Sequence, residues 1–169
     1  MLTSFLFALS LAIAEPPVAP PPSIPAAVFV ETMPKDAKSV AVVKKNAKKG
    51  EKVVMEAKIG GRGEPFLKNR AAFMVADTSL KSCNEIEGDT CPKPWDYCCE
   101  TSDSKKTNML IVQIVDAEGK LLKCDANGVH GLAPLRTIVV EGVVASVDDK
   151  GNCTINATQI WVKPQEKKS

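Results

Sequence analysis

Six cysteines are the residues of this 169-residue chain best suited to chemistry, and four of them, Cys83, Cys91, Cys98 and Cys99, crowd into one short segment. The other two, Cys124 and Cys153, stand apart. Thiols at this density serve three chemistries: disulfide cross-linking, ligation of a soft metal, and thiol–disulfide exchange. An even count in a small exported domain reads first as a disulfide framework. Cys98 and Cys99 are neighbours, with Cα atoms about 3.8 Å apart across a trans peptide, which is shorter than ordinary disulfides span. Each is therefore expected to bond a different partner. Cys83 and Cys91 are the nearest candidates, while Cys124 and Cys153 could tie the segment to the rest of the fold.

The second reading is a site for Zn²⁺, Cu⁺ or an iron–sulfur cluster. Its candidate ligands are Cys83, Cys91, Cys98, Cys99 and Cys124, with the single histidine, His130, as an addition. No other cofactor is expected. The segment contains no CxxC, and neighbouring cysteines in extended chain point to opposite sides, which works against joint ligation. Exchange chemistry needs a thiolate of low pKa, and Asp96 and Glu100 beside the Cys pair are expected to raise it instead. Trp95 and Tyr97 are expected to pack the segment onto the core, since aromatics make up only 5% of the chain. Pro92 and Pro94 stiffen the same turn. No Ser-His-Asp order, paired carboxylates, phosphate loop or metalloprotease motif is present, so no enzyme activity is expected.

The elements that must position these thiols are mostly strands. Val53, Met55, Ala57 and Ile59 alternate with polar residues before Gly60-Gly61. Residues 71–76, 109–115, 137–147 and 153–162 read as four more strands, with Gly142 inside the fourth and a polar turn at 148–152. Core positions are expected at Val53, Met55, Ala57, Ile59, Phe73, Val75, Leu110, Val112, Ile138, Val140, Val143, Ile155 and Ile160. Ahead of the strands, 35–50 reads as a short amphipathic helix, with Asp36 as its cap, Val40, Val43 and Ala47 inward, and Gly50 at its end. Residues 15–34 are Pro-rich and are expected to form a disordered spacer. The barrel domain is expected over 51–164, with a Cys-rich insert at 81–106 and a tail at 165–169.

Residues 1–14 form an uncharged, apolar run ending in Ala12-Ile13-Ala14, which reads as a signal peptide cleaved before Glu15. Export to the periplasm or beyond follows, with no transmembrane segment in the mature chain. The net charge of +2 announces neither a nucleic acid nor a membrane surface.

The stretches GEKVVMEAKIGGR and TIVVEGVVASVDDKGNCTINATQIWVKP resemble the OB-fold domains of the anticodon-binding group. The segment GDTCPKPWDYCCE is similar to one found in small exported bacterial proteins of unknown function. The resemblance implies an all-β fold, a five-stranded Greek-key barrel, and an extracytoplasmic location. It implies no activity, because one fold hosts many functions. Single-stranded nucleic-acid binding would need aromatic platforms, and only Phe73 stands on the second strand, with Arg62, Lys68 and Arg70 as a thin basic lip. The leading expectation is therefore an exported, non-enzymatic binding or structural module of the cell envelope, acting on an envelope protein or ligand not named by the sequence. A metal-binding or thiol-redox protein using 83–99 is second, and nucleic-acid binding third.

Overall fold

A computed structural model describes residues 23–165. Five strands close into a barrel: β2 (Lys52–Ile59), β3 (Ala72–Ala76), β4 (Met109–Gln113), β5 (Thr137–Val147) and β6 (Cys153–Val162). A two-residue strand, β1 (Lys38–Ser39), lies parallel to β2 outside that ring. Around the barrel β2 pairs antiparallel with β3, and β3 with β4. β4 then runs parallel to β6, and β6 antiparallel to β5. The ring closes where β5 pairs antiparallel with β2, from Lys52 opposite Val143 to Lys58 opposite Thr137. This is an all-β, OB-like Greek-key barrel with few helical turns.

Alternation places Met55, Ala57, Ile59, Phe73, Val75, Leu110, Val112, Ile138 and Val140 inside. Ile155 and Ile160 also lie inside, although five positions apart in one strand. A regular strand would send them to opposite faces. The register slips by one residue between Glu141 and Gly142, leaving Thr158 unpaired in β6, and this bulge restores both to the core. The Thr158 hydroxyl donates to the Glu141 carbonyl at 3.1 Å, holding the bulge. Gly142 serves the same corner, because a Cβ there would meet the Asn156 carbonyl oxygen and lie 2.8 Å from Ile155 Cγ2. On β5 the expected core residue Val143 is only half-buried, and Val144 takes the interior place. The inward face follows 138, 140, 142 and 144, so Val143 has the wrong parity. Val53 is also half-buried, at the barrel rim.

Two corrections concern the N-terminal region. Helix α1 spans Val40–Asn46, not 35–50, and its N-cap is Ser39, whose hydroxyl accepts from the Val42 N–H. Asp36 instead occupies a left-handed turn, with φ 59°. Val40 and Val43 plug the barrel core as expected. The Pro-rich stretch is ordered from residue 23 onward: a 3-10 turn at Ala26–Val28 and a bridge from Phe29 to Ile160 dock it against β6. Ile24 is buried in the core, which supplies the reason this part does not wander. The signal at 1–14, residues 15–22 of the spacer and 166–169 of the tail lie outside the described residues.

A second cap for α1 comes from across the fold. The Asp77 carboxylate, at the end of β3, accepts from the Ala41 N–H at 2.9 Å and from the Ser79 N–H and hydroxyl. Burial pushes the Asp77 carboxyl up, but these donors outweigh it and hold it below its ordinary value near 3.8. A depressed folded pKa means the contribution is complete above that ordinary value and is lost as pH falls through the folded one. Asp77→Asn should therefore cost about 1 kcal/mol of urea-unfolding stability at pH 7, with the gap to the parent closing below about pH 4. A gap that stays constant into acid would show the carboxylate's charge to be irrelevant.

Candidate thiol and metal site

The loop between β3 and β4 is far longer than a hairpin needs, and it crosses the outward face of β2. Sequence alternation assigned Lys58 to solvent, yet it is only 7% exposed. Its ammonium donates to Glu85 Oε2 at 2.5 Å and approaches the Ser82 hydroxyl at 3.5 Å. Glu85 also accepts from the Ser82 N–H and hydroxyl, closing a capping box around a 3-10 turn, Cys83–Glu85. Burial raises the Glu85 carboxyl, but Lys58 and Ser82 donate to it and hold it below the usual range.

Gly60 and Gly61 do more than end β2. A Cβ on Gly60 would lie 2.7 Å from the Trp95 carbonyl oxygen and 3.0 Å from Tyr97 Cε2, and one on Gly61 would lie 2.5 Å from Met74 Cε. Gly60 is the seat on which the loop rests, and Gly61 makes the same room for Met74 of β3. The Gly61 N–H donates to the Trp95 carbonyl, and the Trp95 indole N–H donates to the Gly63 carbonyl at 2.7 Å. Tyr97 is 1% exposed and packs against Ala76, Leu80 and Met109 in a small second core. The loop's two arms pair directly: the Cys83 N–H donates to the Asp96 carbonyl and the Asn84 N–H to the Pro94 carbonyl.

These fasteners bring four thiols together. Cys83 Sγ lies 3.2 Å from Cys98 Sγ, and Cys98 Sγ lies 3.9 Å from Cys99 Sγ. The sulfurs of Cys83, Cys91 and Cys98 all lie within 4.8 Å of one another. A carboxylate oxygen of Asp89 with the sulfurs of Cys98 and Cys99 forms a second such group. Cys98 and Cys99 occupy a turn, closed by the Glu100 N–H donating to the Tyr97 carbonyl, instead of extended chain. Their sulfurs therefore face one side, and the expected obstacle to joint ligation is gone.

Asp96 and Glu100 do not act on the thiols as expected. Asp96 accepts from the Tyr97 and Gly63 N–H groups, and Glu100 from the Ser104 hydroxyl. The carboxylate at the cluster is Asp89, which the sequence reading passed over. Its Oδ1 accepts from the Cys91 N–H at 2.8 Å, while its Oδ2 is buried without a partner. Asp89 stands two positions before Cys91, the spacing of an Asx turn, and that was the available signal. Within the cluster the Cys83 hydrogen bond to Cys98 lowers the Cys98 thiol, and burial pushes the Cys83 thiol up. Donation toward Cys98 raises Cys99.

The remaining candidates stand elsewhere. Cys153 is buried in the barrel core and Cys124 is half-buried against it; burial raises both thiols. His130 is exposed and stacks on Phe29 with ring centroids 4.3 Å apart, in a left-handed backbone conformation. Neither Cys124 nor His130 joins a ligand group among the described residues. No two sulfurs among the described residues stand at disulfide distance, so the expected disulfide framework is not formed in this structure.

On the β3–β4 face lies a groove of about 670 Å³. Lys44, Arg62, Lys105, Lys106 and Lys150 line it together with apolar residues such as Met74 and Ile111. Lys68 and Arg70, expected beside Arg62, take no part, and no aromatic side chain lines it. Among the described residues no helix is long and apolar enough to cross a membrane. Comparison with protein-family models, with curated proteins and with solved structures finds no match to this chain.

If the Lys58–Glu85 contact holds the loop, Glu85→Ala should leave a nearly buried ammonium without its counter-charge. The cost is about 1–2 kcal/mol, discounted because Glu85 is half-exposed. Hydrogen exchange should quicken across 82–99 while the amides of β2 and β5 stay protected. Unchanged exchange in the loop would mean that packing of Tyr97 alone suffices.

Proposed function

We propose that this protein is an exported, non-enzymatic binding module of the cell envelope whose working element is a thiolate site for a thiophilic metal ion, Zn²⁺ or Cu⁺ in class. The observation that carries the reading is the convergence of the Cys83, Cys91 and Cys98 sulfurs within 4.8 Å, with Cys99 3.9 Å from Cys98. Thiolates about 2.3 Å from a tetrahedral metal stand about 3.8 Å apart, close to the spacing in this cluster. The residues present fit such an ion: soft donors, one side of a turn, and a carboxylate beside them. The barrel is the scaffold, and the resemblance to OB domains of the anticodon-binding group and to exported proteins with a CPKPWDYCC-like segment supports the fold and compartment halves of the reading. A groove without aromatic platforms gives single-stranded nucleic acid nothing to stack on, which leaves that reading third.

The 3.2 Å contact of Cys83 with Cys98 favours one competing reading, a structural or exchangeable disulfide between them. Full-length protein purified anaerobically separates the two. The metal reading expects one or more equivalents of zinc or copper, and alkylation of Cys83 and Cys91 blocked until a chelator is added. Cys83→Ser and Cys91→Ser should each bind less metal than the parent, and Cys124→Ser should bind as much. Metal-free protein with Cys83 and Cys98 joined, by peptide mass, would replace the metal reading with the disulfide one.

Export has its own check. Intact mass of the native protein should begin at Glu15, in an extracytoplasmic fraction. A soluble cytosolic pool retaining residues 1–14 would remove the envelope from the proposal.

A further inference from the structure

The two ligand groups in the loop share one atom. Cys98 Sγ belongs both to the set with Cys83 and Cys91 and to the set with Asp89 and Cys99. Resting on the thiolate-metal reading above, we propose that the loop holds two zinc-class divalent ions bridged by the Cys98 thiolate, one facing Cys83 and Cys91, the other facing Cys99 and Asp89.

Three features of the site lead there. A single tetrahedral ion takes four donors, whereas this loop converges four sulfurs and a carboxylate. Donors crowded to this degree repel one another once ionised, and one divalent charge leaves most of that repulsion standing. A second ion on the other side of Cys98 offsets nearly all of it. The second feature is Asp89. Oδ1 is taken by the Cys91 N–H, yet Oδ2 is buried with no partner, a costly arrangement for a carboxylate oxygen unless something positive meets it. The third is donor chemistry. A carboxylate is a poor ligand for Cu⁺ and an ordinary one for Zn²⁺, so Asp89 selects the divalent class on its side of the cluster.

Each ion would keep one coordination position free of protein donors. Cys91, Cys98 and Asp89 come from the part of the loop beyond the Cys83 turn, so the ions would also fasten the arm that the Lys58–Glu85 contact does not reach.

The test is metal stoichiometry on the reduced full-length chain, loaded anaerobically with excess Zn²⁺, desalted, and measured by elemental analysis, with Co²⁺ as a spectroscopic probe. About two equivalents are expected, and Co²⁺ should show sulfur charge-transfer bands that grow in two stages. Asp89→Asn and Cys99→Ser, neither of them part of the barrel core, should each fall to about one equivalent and keep the barrel's circular dichroism. Cys91→Ser should likewise fall to about one, and Cys98→Ser should lose both. One equivalent in the parent, unmoved by Asp89→Asn and Cys99→Ser, overturns the second ion and leaves the single-ion site standing. Two equivalents that survive Cys98→Ser overturn the bridge. No bound metal in the parent overturns this inference together with the reading beneath it.

Discussion

Closing a five-stranded sheet forces every strand to serve two neighbours, and in this chain the seam between β2 and β5 carries that demand. β5 must reach from β2 on one side to β6 on the other, and at eleven residues it does so only by bending. Two register shifts against β6 and the missing side chain at Gly142 provide the bend. The bulge at Thr158 follows from the same need, since without it Ile155 or Ile160 would face water. Once the ring is shut, its open end is plugged by Val40 and Val43 of α1, and the Asp77 carboxylate locks that plug from the end of β3.

The loop that carries the thiols lives on the outside of this barrel and has little apolar core of its own. It is held by a short chain of polar contacts and close approaches: Lys58 to Glu85, the glycine seat under Trp95 and Tyr97, and the pairing of its two arms. A buried lysine on an outward strand face is unfavourable in isolation, so its presence makes the covering loop part of the barrel's own stability. The coupling runs both ways. The barrel positions Cys83 through the Ser82–Glu85 cap, and Tyr97 positions Cys98 beside it.

Electrostatics inside the cluster are set by neighbours a few ångströms away, not by the charges nearest in sequence. Asp96 and Glu100 flank the cysteines along the chain but spend their oxygens on backbone N–H groups and a serine. Asp89, nine residues before Cys98, lies against the sulfurs with one oxygen unmatched. A turn at Cys98-Cys99 brings neighbouring side chains to one side, which an extended backbone forbids.

What the sequence determined by itself was periodic. Two-residue alternation located five strands to within a residue or two at most ends, and the Gly, Asp and Asn turns placed their boundaries, because strand faces and turn conformations are local properties of the chain. Cysteine counting singled out the loop in which the sulfurs converge for the same reason. Tertiary structure alone decided what local pattern does not encode. It buried Lys58, on a face that alternation assigned to solvent, because a distant loop covers that face. It ordered residues 23–34, because Ile24 and Phe29 found the barrel. It separated Cys124, Cys153 and His130 from the other candidates and added Asp89 in their place. Which side chains converge on a sulfur depends on how a loop folds back across a closed sheet, and that is fixed by contacts between residues far apart in sequence.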